Sequence, residues 1–452
     1  MAHTSSPAAD KYLFAGLCLL ILWTPIPLGS NRPWAMSLLQ AWSALLAAGL
    51  CWQIAKGALT ASPALRKSGP ALIAFAGILA WSVLQLFVTD NTTPVALSLQ
   101  KSLTLALFFL CCLQLLHTRE RLEVAAHVVV LGGVFQAVYA VLVTMGGSSF
   151  DLLGLKQLTP FKDATTGTFV NRNHLAGYLE MCLATGIGLL MAGLPSSGAD
   201  ISWRERSRRL LRAMLGGKAR IRLFLVIMVI ALVMTRSRMG NSAFFISMGI
   251  SALIGFVIYR KASRSLVILF ASMIVIDLLI ISTWFGLDKL ADRIGQTHIS
   301  EEVRLDVNAN AWPWFTEHWL TGTGAGSFGS TFPAYRTADV GPFFDFAHND
   351  YLQILGEYGV VGAAFFVLLV GSSLVVSIQA QLHRKNVMLK GMAFAAMMGI
   401  ISLMIHASVD FNHQIPANAM LFVLLCAFAW ASRHLDSNRG RHAGRARKDT
   451  AT

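Results

Sequence analysis

The chain has 452 residues, 55% of them hydrophobic and only 13% charged, about half the charged share of a soluble domain. Its 37 Lys and Arg against 23 Asp and Glu give a formal net charge of +14. So apolar a composition excludes a disordered chain and an ordinary soluble one. The positive excess fits either a polyanionic partner or a membrane-topology signal, and its placement along the chain decides between them.

A membrane-spanning helix needs about 20 mostly apolar residues. Twelve candidate runs occur, over 12–28, 34–54, 70–88, 95–116, 122–145, 174–193, 223–239, 240–259, 266–285, 359–381, 391–409 and 417–432. They predict an all-α polytopic membrane protein with about 12 transmembrane helices. Nine helices fill residues 1–285, and a large, partly helical outer loop fills 286–358 before the tenth span. Three more helices fill 359–432, and a basic tail covers 433–452. The junction between 223–239 and 240–259 is the least marked. Only Lys11 precedes the first run and no small-residue cleavage site follows it, so it reads as a retained helix.

With the N-terminus inside, inner segments hold 26 Lys and Arg and outer segments hold 10. The positive-inside rule therefore places both termini in the cytoplasm. The inner face carries a net +19 and the outer face −4. The excess is thus a topology marker. The basic stretches 203–222 and 433–448 read as anchors to anionic headgroups, and no nucleic-acid partner is expected. All six cysteines fall in predicted spans without metal-ligand spacing, as packing residues do.

Chemistry has room on the outer side, in 146–173, 286–358 and 410–416. Residues 300–320 can form an amphipathic helix, broken at Pro313. Its Trp312, Trp314 and Trp319 suit a membrane interface or a sugar-stacking surface. Gly322, Gly324 and Gly326 follow a helix instead of a strand, which argues for a turn; a backbone cradle for phosphate is the sharper alternative. A helix from about Asn349 would align Asn349, Gln353 and Glu357 on one face, with His348 at or just before its start. There His348 is either a capping residue or a general base, because a helix N-terminus favours the neutral imidazole that a base needs. Asn171, Arg172, Asn173 and His174 open the sixth span, and Arg236 and Arg238 flank Ser237 at the outer end of the seventh. With Arg304, these arginines suit a lipid diphosphate, because guanidinium forks match phosphate oxygens. Asp410 begins the last outer connection. Glu180 and Asp277 are intramembrane acids with no partner evident in the sequence.

The chain resembles the O-antigen ligase/O-antigen polymerase superfamily of bacterial glycan-assembly enzymes. The resemblance rests on Phe169 to Leu179 with Asn171, Asn173 and His174, and on Thr235-Arg-Ser-Arg238. It continues from Arg304 through Trp312 to Gly326, then through Ala347-His-Asn-Asp-Tyr351 and Gln353 to Gly359. A looser stretch joins His406, Ser408 and Asp410 to Pro416. The motifs cover about 169–416, over half the chain. The resemblance implies transfer of a glycan from undecaprenyl diphosphate to an acceptor on the periplasmic face of the bacterial inner membrane, without metal or cofactor. The acceptor would be lipid A–core in a ligase, or a second lipid-linked repeat in an O-antigen or exopolysaccharide polymerase. It also implies that His348 is catalytic and that Arg238 and Arg304 bind diphosphate, with Arg236 beside them. Lower-ranked contacts are Asn171, Arg172, Asn173, His174, Asn349, Tyr351, Gln353 and Asp410. Met239 departs from the small residue often found after that arginine. A transporter or flippase and a non-enzymatic scaffold are the competing readings; neither an internal repeat nor polar residues at the bilayer midplane support the first.

Overall fold

The computed structural model describes residues 8–151, 153–155, 165–192, 217–259, 306–337 and 344–435. Arg304, the predicted ninth span with Asp277, most of the basic stretch 203–222 and the basic tail beyond residue 435 lie outside the described residues. The described residues form helices and connecting turns, with no strand among them.

The long helices are α1 (Ala8–Trp23), α2 (Pro33–Ala55), α3 (Gly69–Val88), α4 (Thr92–Leu115), α5 (Arg119–Gly146), α6 (Arg172–Ala192), α7 (Gly217–Met234) and α8 (Arg238–Tyr259). Residues 306–317 form α9. The last three are α10 (Asp350–His383), α11 (Val387–His406) and α12 (Pro416–His434). Nine of the described helices are long and apolar enough to cross a membrane, and the protein is an all-α polytopic membrane protein. Eleven of the twelve predicted spans overlap these helices; the remaining one, the ninth, lies outside the described residues.

Three boundaries differ from the sequence reading. The break between the seventh and eighth spans falls at 235–237, so the Arg236–Arg238 motif is itself the turn. Pro313 does not break α9, which runs on to residue 317 and loses one backbone hydrogen bond there. The tenth span is the distal part of the 34-residue α10, which starts at Asp350 and bends at Gly359.

Burial separates the helices into two groups. Every residue of α6 from His174 to Leu190 is buried, and α12 is buried almost throughout. A helix apolar on all sides is stable only when wrapped by other helices or by lipid. Helices α2 and α3 belong to the outer group, where Leu45 and Phe87 are exposed as lipid-facing residues would be. At the centre, α6 and α11 cross backbone to backbone. A Cβ on Gly188 would stand 2.4 Å from the Gly391 carbonyl oxygen, and one on Gly391 would stand 2.3 Å from that of Gly188. Small residues permit such close crossings within membranes. The crossing fixes α6 against α11 and so sets the distance between the loops at their ends.

Candidate active site at one end of the bundle

The first turn of α6, the α7–α8 turn, the start of α10 and the α11–α12 connection meet at one end of the bundle. Asp410, only 1% exposed, joins the first turn of α6 and the start of α10 to its own α11–α12 connection. Its Oδ2 accepts a hydrogen bond from Asn173 Nδ2 at 2.6 Å. Its Oδ1 accepts the Phe411 backbone N–H at 2.9 Å. The same Oδ1 faces His348 Nδ1 at 3.7 Å and His174 Nε2 at 3.8 Å. Both distances are too long for hydrogen bonds but within ion-pair reach. Burial pushes the Asp410 carboxyl up, but the two imidazoles facing it outweigh burial and hold it well below the usual carboxylate range. The Phe411 ring meets both imidazoles edge-on, His174 at 4.6 Å and His348 at 4.7 Å, and stacks on Phe346.

His348 stands just outside α10. Its φ of +52° lies in the left-handed region, which a non-glycine residue occupies at a cost of about 1–3 kcal/mol. The neighbouring N-cap is Asn349, whose Oδ1 accepts the N–H groups of Tyr351 and Leu352. The expected helix start is therefore observed, and Asn349 does the capping while His348 keeps its ring partly exposed. Asp350 is buried, and its Oδ2 accepts both the backbone N–H and Nδ1 of His413. The Tyr351 hydroxyl donates to the Met404 carbonyl at 2.8 Å. The first turn of α10 is thereby tied to α11 and to the connection after it.

The glycine segment resolves into a turn. At Gly359, where φ is +63°, α10 bends and frees the preceding carbonyls. Thr323 N–H donates to the Gly356 carbonyl and Gly324 N–H to that of Glu357. Gln85 Nε2 also reaches the Glu357 carbonyl, and Trp81 Nε1 reaches that of Tyr358. Gly322 and Gly359 pass so closely that a Cβ on the latter would lie 2.2 Å from the Leu320 carbonyl oxygen. The Gly326 N–H, the natural donor to a phosphate, instead donates to Glu357 Oε2 at 2.9 Å. The phosphate-cradle alternative fails because these donors are already engaged within the chain. Trp314 is fully buried and cannot stack on a sugar, whereas Trp312 and Trp319 are exposed.

Arg236 and Arg238 are exposed at the α7–α8 turn. Arg236 has φ +54°, and Ser237 Oγ accepts the Gly240 N–H to cap α8. Gly240 packs on Ala176 and Glu180 of α6, so this turn sits beside the α6 segment that follows His174. Glu180 is not isolated, contrary to the sequence reading. Its Oε1 lies 2.8 Å from His406 Nδ1, and Ser402 Oγ donates to its Oε2 at 2.7 Å. Asn171 Oδ1 accepts the Asn173 N–H, and Arg172 is exposed at the start of α6.

The structure thus brings Asn173, His174, His348 and Asp410 together and places Arg236 and Arg238 on an adjoining turn. It turns Asn349 and Gln353 to structural work. Sequence reasoning gave no role to Phe411, His406 or His413; the first adjoins Asp410, and the last two stand in or beside the polar stretch 406–416.

Residues 223–367 match the family model described as O-antigen ligase. The match supports the O-antigen ligase/polymerase superfamily. The matched segment contains Arg236, Arg238, Arg304 and His348, whereas Asn173, His174 and Asp410 lie outside it and meet His348 through folding. No curated protein matches the chain.

Proposed function

We propose that the protein is a membrane glycosyltransferase, O-antigen ligase-like, that moves a glycan from undecaprenyl diphosphate to a hydroxyl of lipid A–core on the periplasmic face of the inner membrane. The observation that carries this reading is the His348 imidazole, partly exposed and backed by the buried carboxylate of Asp410, within the segment that matches the O-antigen ligase family. His348 takes the proton of the acceptor hydroxyl. The acceptor oxygen bonds to the anomeric carbon as the bond from that carbon to the diphosphate oxygen breaks. Arg238 and Arg304, with Arg236 nearby, hold the departing diphosphate and neutralise its charge. Asp410, 3.7 Å from the ring nitrogen, balances the charge that the imidazole gains. Diphosphate is a good leaving group, so the transfer needs no further energy source.

The test uses purified protein in lipid nanodiscs with undecaprenyl-diphosphate-linked glycan and lipid A–core. Glycan should appear on lipid A–core, and His348→Ala should abolish the transfer while still inserting. Extension of the lipid-linked glycan in place of capping would assign the polymerase reaction. Gradient-dependent movement of lipid-linked glycan without any transfer would defeat the enzymatic reading.

A further inference from the structure

The Glu357 carboxylate is 2% exposed, buried between the glycine turn and α10. It accepts the Gly326 N–H at 2.9 Å, the Phe328 N–H at 3.3 Å and Gln353 Nε2 at 2.9 Å. With Nε2 so engaged, the amide of Gln353 has a single orientation, and its Oε1 accepts the Ala347 N–H at 3.1 Å. Ala347 immediately precedes His348, whose left-handed backbone must be held by its surroundings. Gln353 is 1% exposed, and both ends of its amide are spent within the chain. So buried an amide does not reach a sugar or phosphate, the role the sequence suggested.

A continuous line of hydrogen bonds therefore runs from the glycine turn through Glu357 and Gln353 to the backbone N–H of Ala347, the residue before His348. On the other side of the turn, Gln85 Oε1 accepts the Ala325 N–H and Asn91 Nδ2 donates to the Thr323 carbonyl, which anchors the turn to α3 and the α3–α4 connection. Helix capping alone does not require this line, because Asn349 already satisfies the first N–H groups of α10.

We infer that Gln353 is a positioning residue for His348, with Glu357 and the glycine turn fixing the direction of its amide. The inference rests on the general-base reading of His348. Gln353 never touches substrate; it sets where the imidazole stands, and a misplacement of about 1 Å at a reacting group can cost about 100-fold in rate.

The experiment compares Gln353→Met with the native protein, and His348→Gly with the double variant His348→Gly/Gln353→Met. The two glycine variants are supplied with free imidazole. All are assayed on undecaprenyl-diphosphate-linked glycan and lipid A–core extracted from host membranes, after a thermal-unfolding check in detergent. Gln353→Met should lower kcat about 100-fold with the donor KM unchanged. It should leave the imidazole-rescued rate of His348→Gly unchanged, because the diffusing base no longer depends on the backbone at 348. Gln353→Asn, shortened by one methylene and unable to span from Glu357 to Ala347, should show the same pattern and serves if the methionine variant does not fold. Equal losses in the native and rescued backgrounds would show a merely structural role and overturn the inference. So would a folded variant with native kcat. Full activity of unrescued His348→Gly is a separate outcome that would defeat the general-base reading itself, and the inference with it.

Discussion

His348 Nδ1 and Asp410 Oδ1 stand 3.7 Å apart although 62 positions separate the two residues in the chain. The carboxylate is held from its other side by Asn173, so three distant segments meet at one oxygen pair. The arrangement places a buried charge beside the imidazole and leaves part of the ring accessible. It makes Asp410 the first residue to test after His348.

Asp410→Asn preserves shape and removes the charge. If the carboxylate supports the imidazole through proton transfer, transfer should fall about 100-fold, within the range that general acid–base catalysis contributes. Membrane insertion should be retained. The check is the initial rate of glycan transfer normalised to inserted protein; a native rate would remove Asp410 from the mechanism.

The arginines of the α7–α8 turn separate by geometry. Arg238 is the first residue of α8, where helix N-terminal N–H groups also favour an anion, whereas Arg236 occupies the strained middle of the turn. Arg238→Lys should keep charge but lose the bidentate fork. Both Arg238→Lys and Arg238→Ala should lower transfer, the alanine variant by about 100-fold or more. Arg236→Lys should be milder. Measured kcat and donor KM for the three variants decide it; equal effects of Arg236→Lys and Arg238→Lys would defeat the ranking.

Much of this architecture was legible in the sequence because membrane spans announce themselves by length and hydropathy, and the start of α10 by Asn349 and the residues after it. The α7–α8 junction is misplaced because the polar interruption at Thr235–Arg238 is so short, with apolar residues ending at Met234 and resuming at Met239, that a turn of only three residues leaves little mark between two apolar runs. Glu180 seemed solitary because its partners, Ser402 and His406, lie more than 200 positions away and meet it only through the α6–α11 crossing. Gln353 shared a helix face with Asn349, as expected, but spacing along a helix does not say whether that face turns to substrate or to a neighbouring loop.

The depressed Asp410 carboxyl makes stability depend on pH with a definite sign. Its folded value lies below the ordinary unfolded one of about 3.9. The stability it contributes is therefore fully present above the unfolded value and is lost as pH falls toward the folded one. The native protein should exceed Asp410→Asn in thermal midpoint at neutral pH, and the gap should narrow near pH 3, about one unit below the unfolded value. Unfolding scans in detergent at both pH values check it. A gap that widens on acidification would contradict the sign.

The crossing of Gly322 and Gly359 gives the sharpest structural prediction. Both residues have positive φ, and a Cβ on Gly322 would stand 2.3 Å from the Glu357 carbonyl oxygen. Neither neighbour is a flexible side-chain end, since each added methyl meets backbone. Relief would require the turn to part from α10, breaking the bonds from Thr323 and Gly324 to the Gly356 and Glu357 carbonyls. Strain at each site should cost about 3 kcal/mol. Gly322→Ala and Gly359→Ala should each lower the unfolding midpoint, whereas Gly371→Ala, where an added Cβ meets open space, should not. Because each glycine alone forces the same separation, the double variant should cost less than the two single costs added together. Full additivity would mean that the two positions do not share one contact.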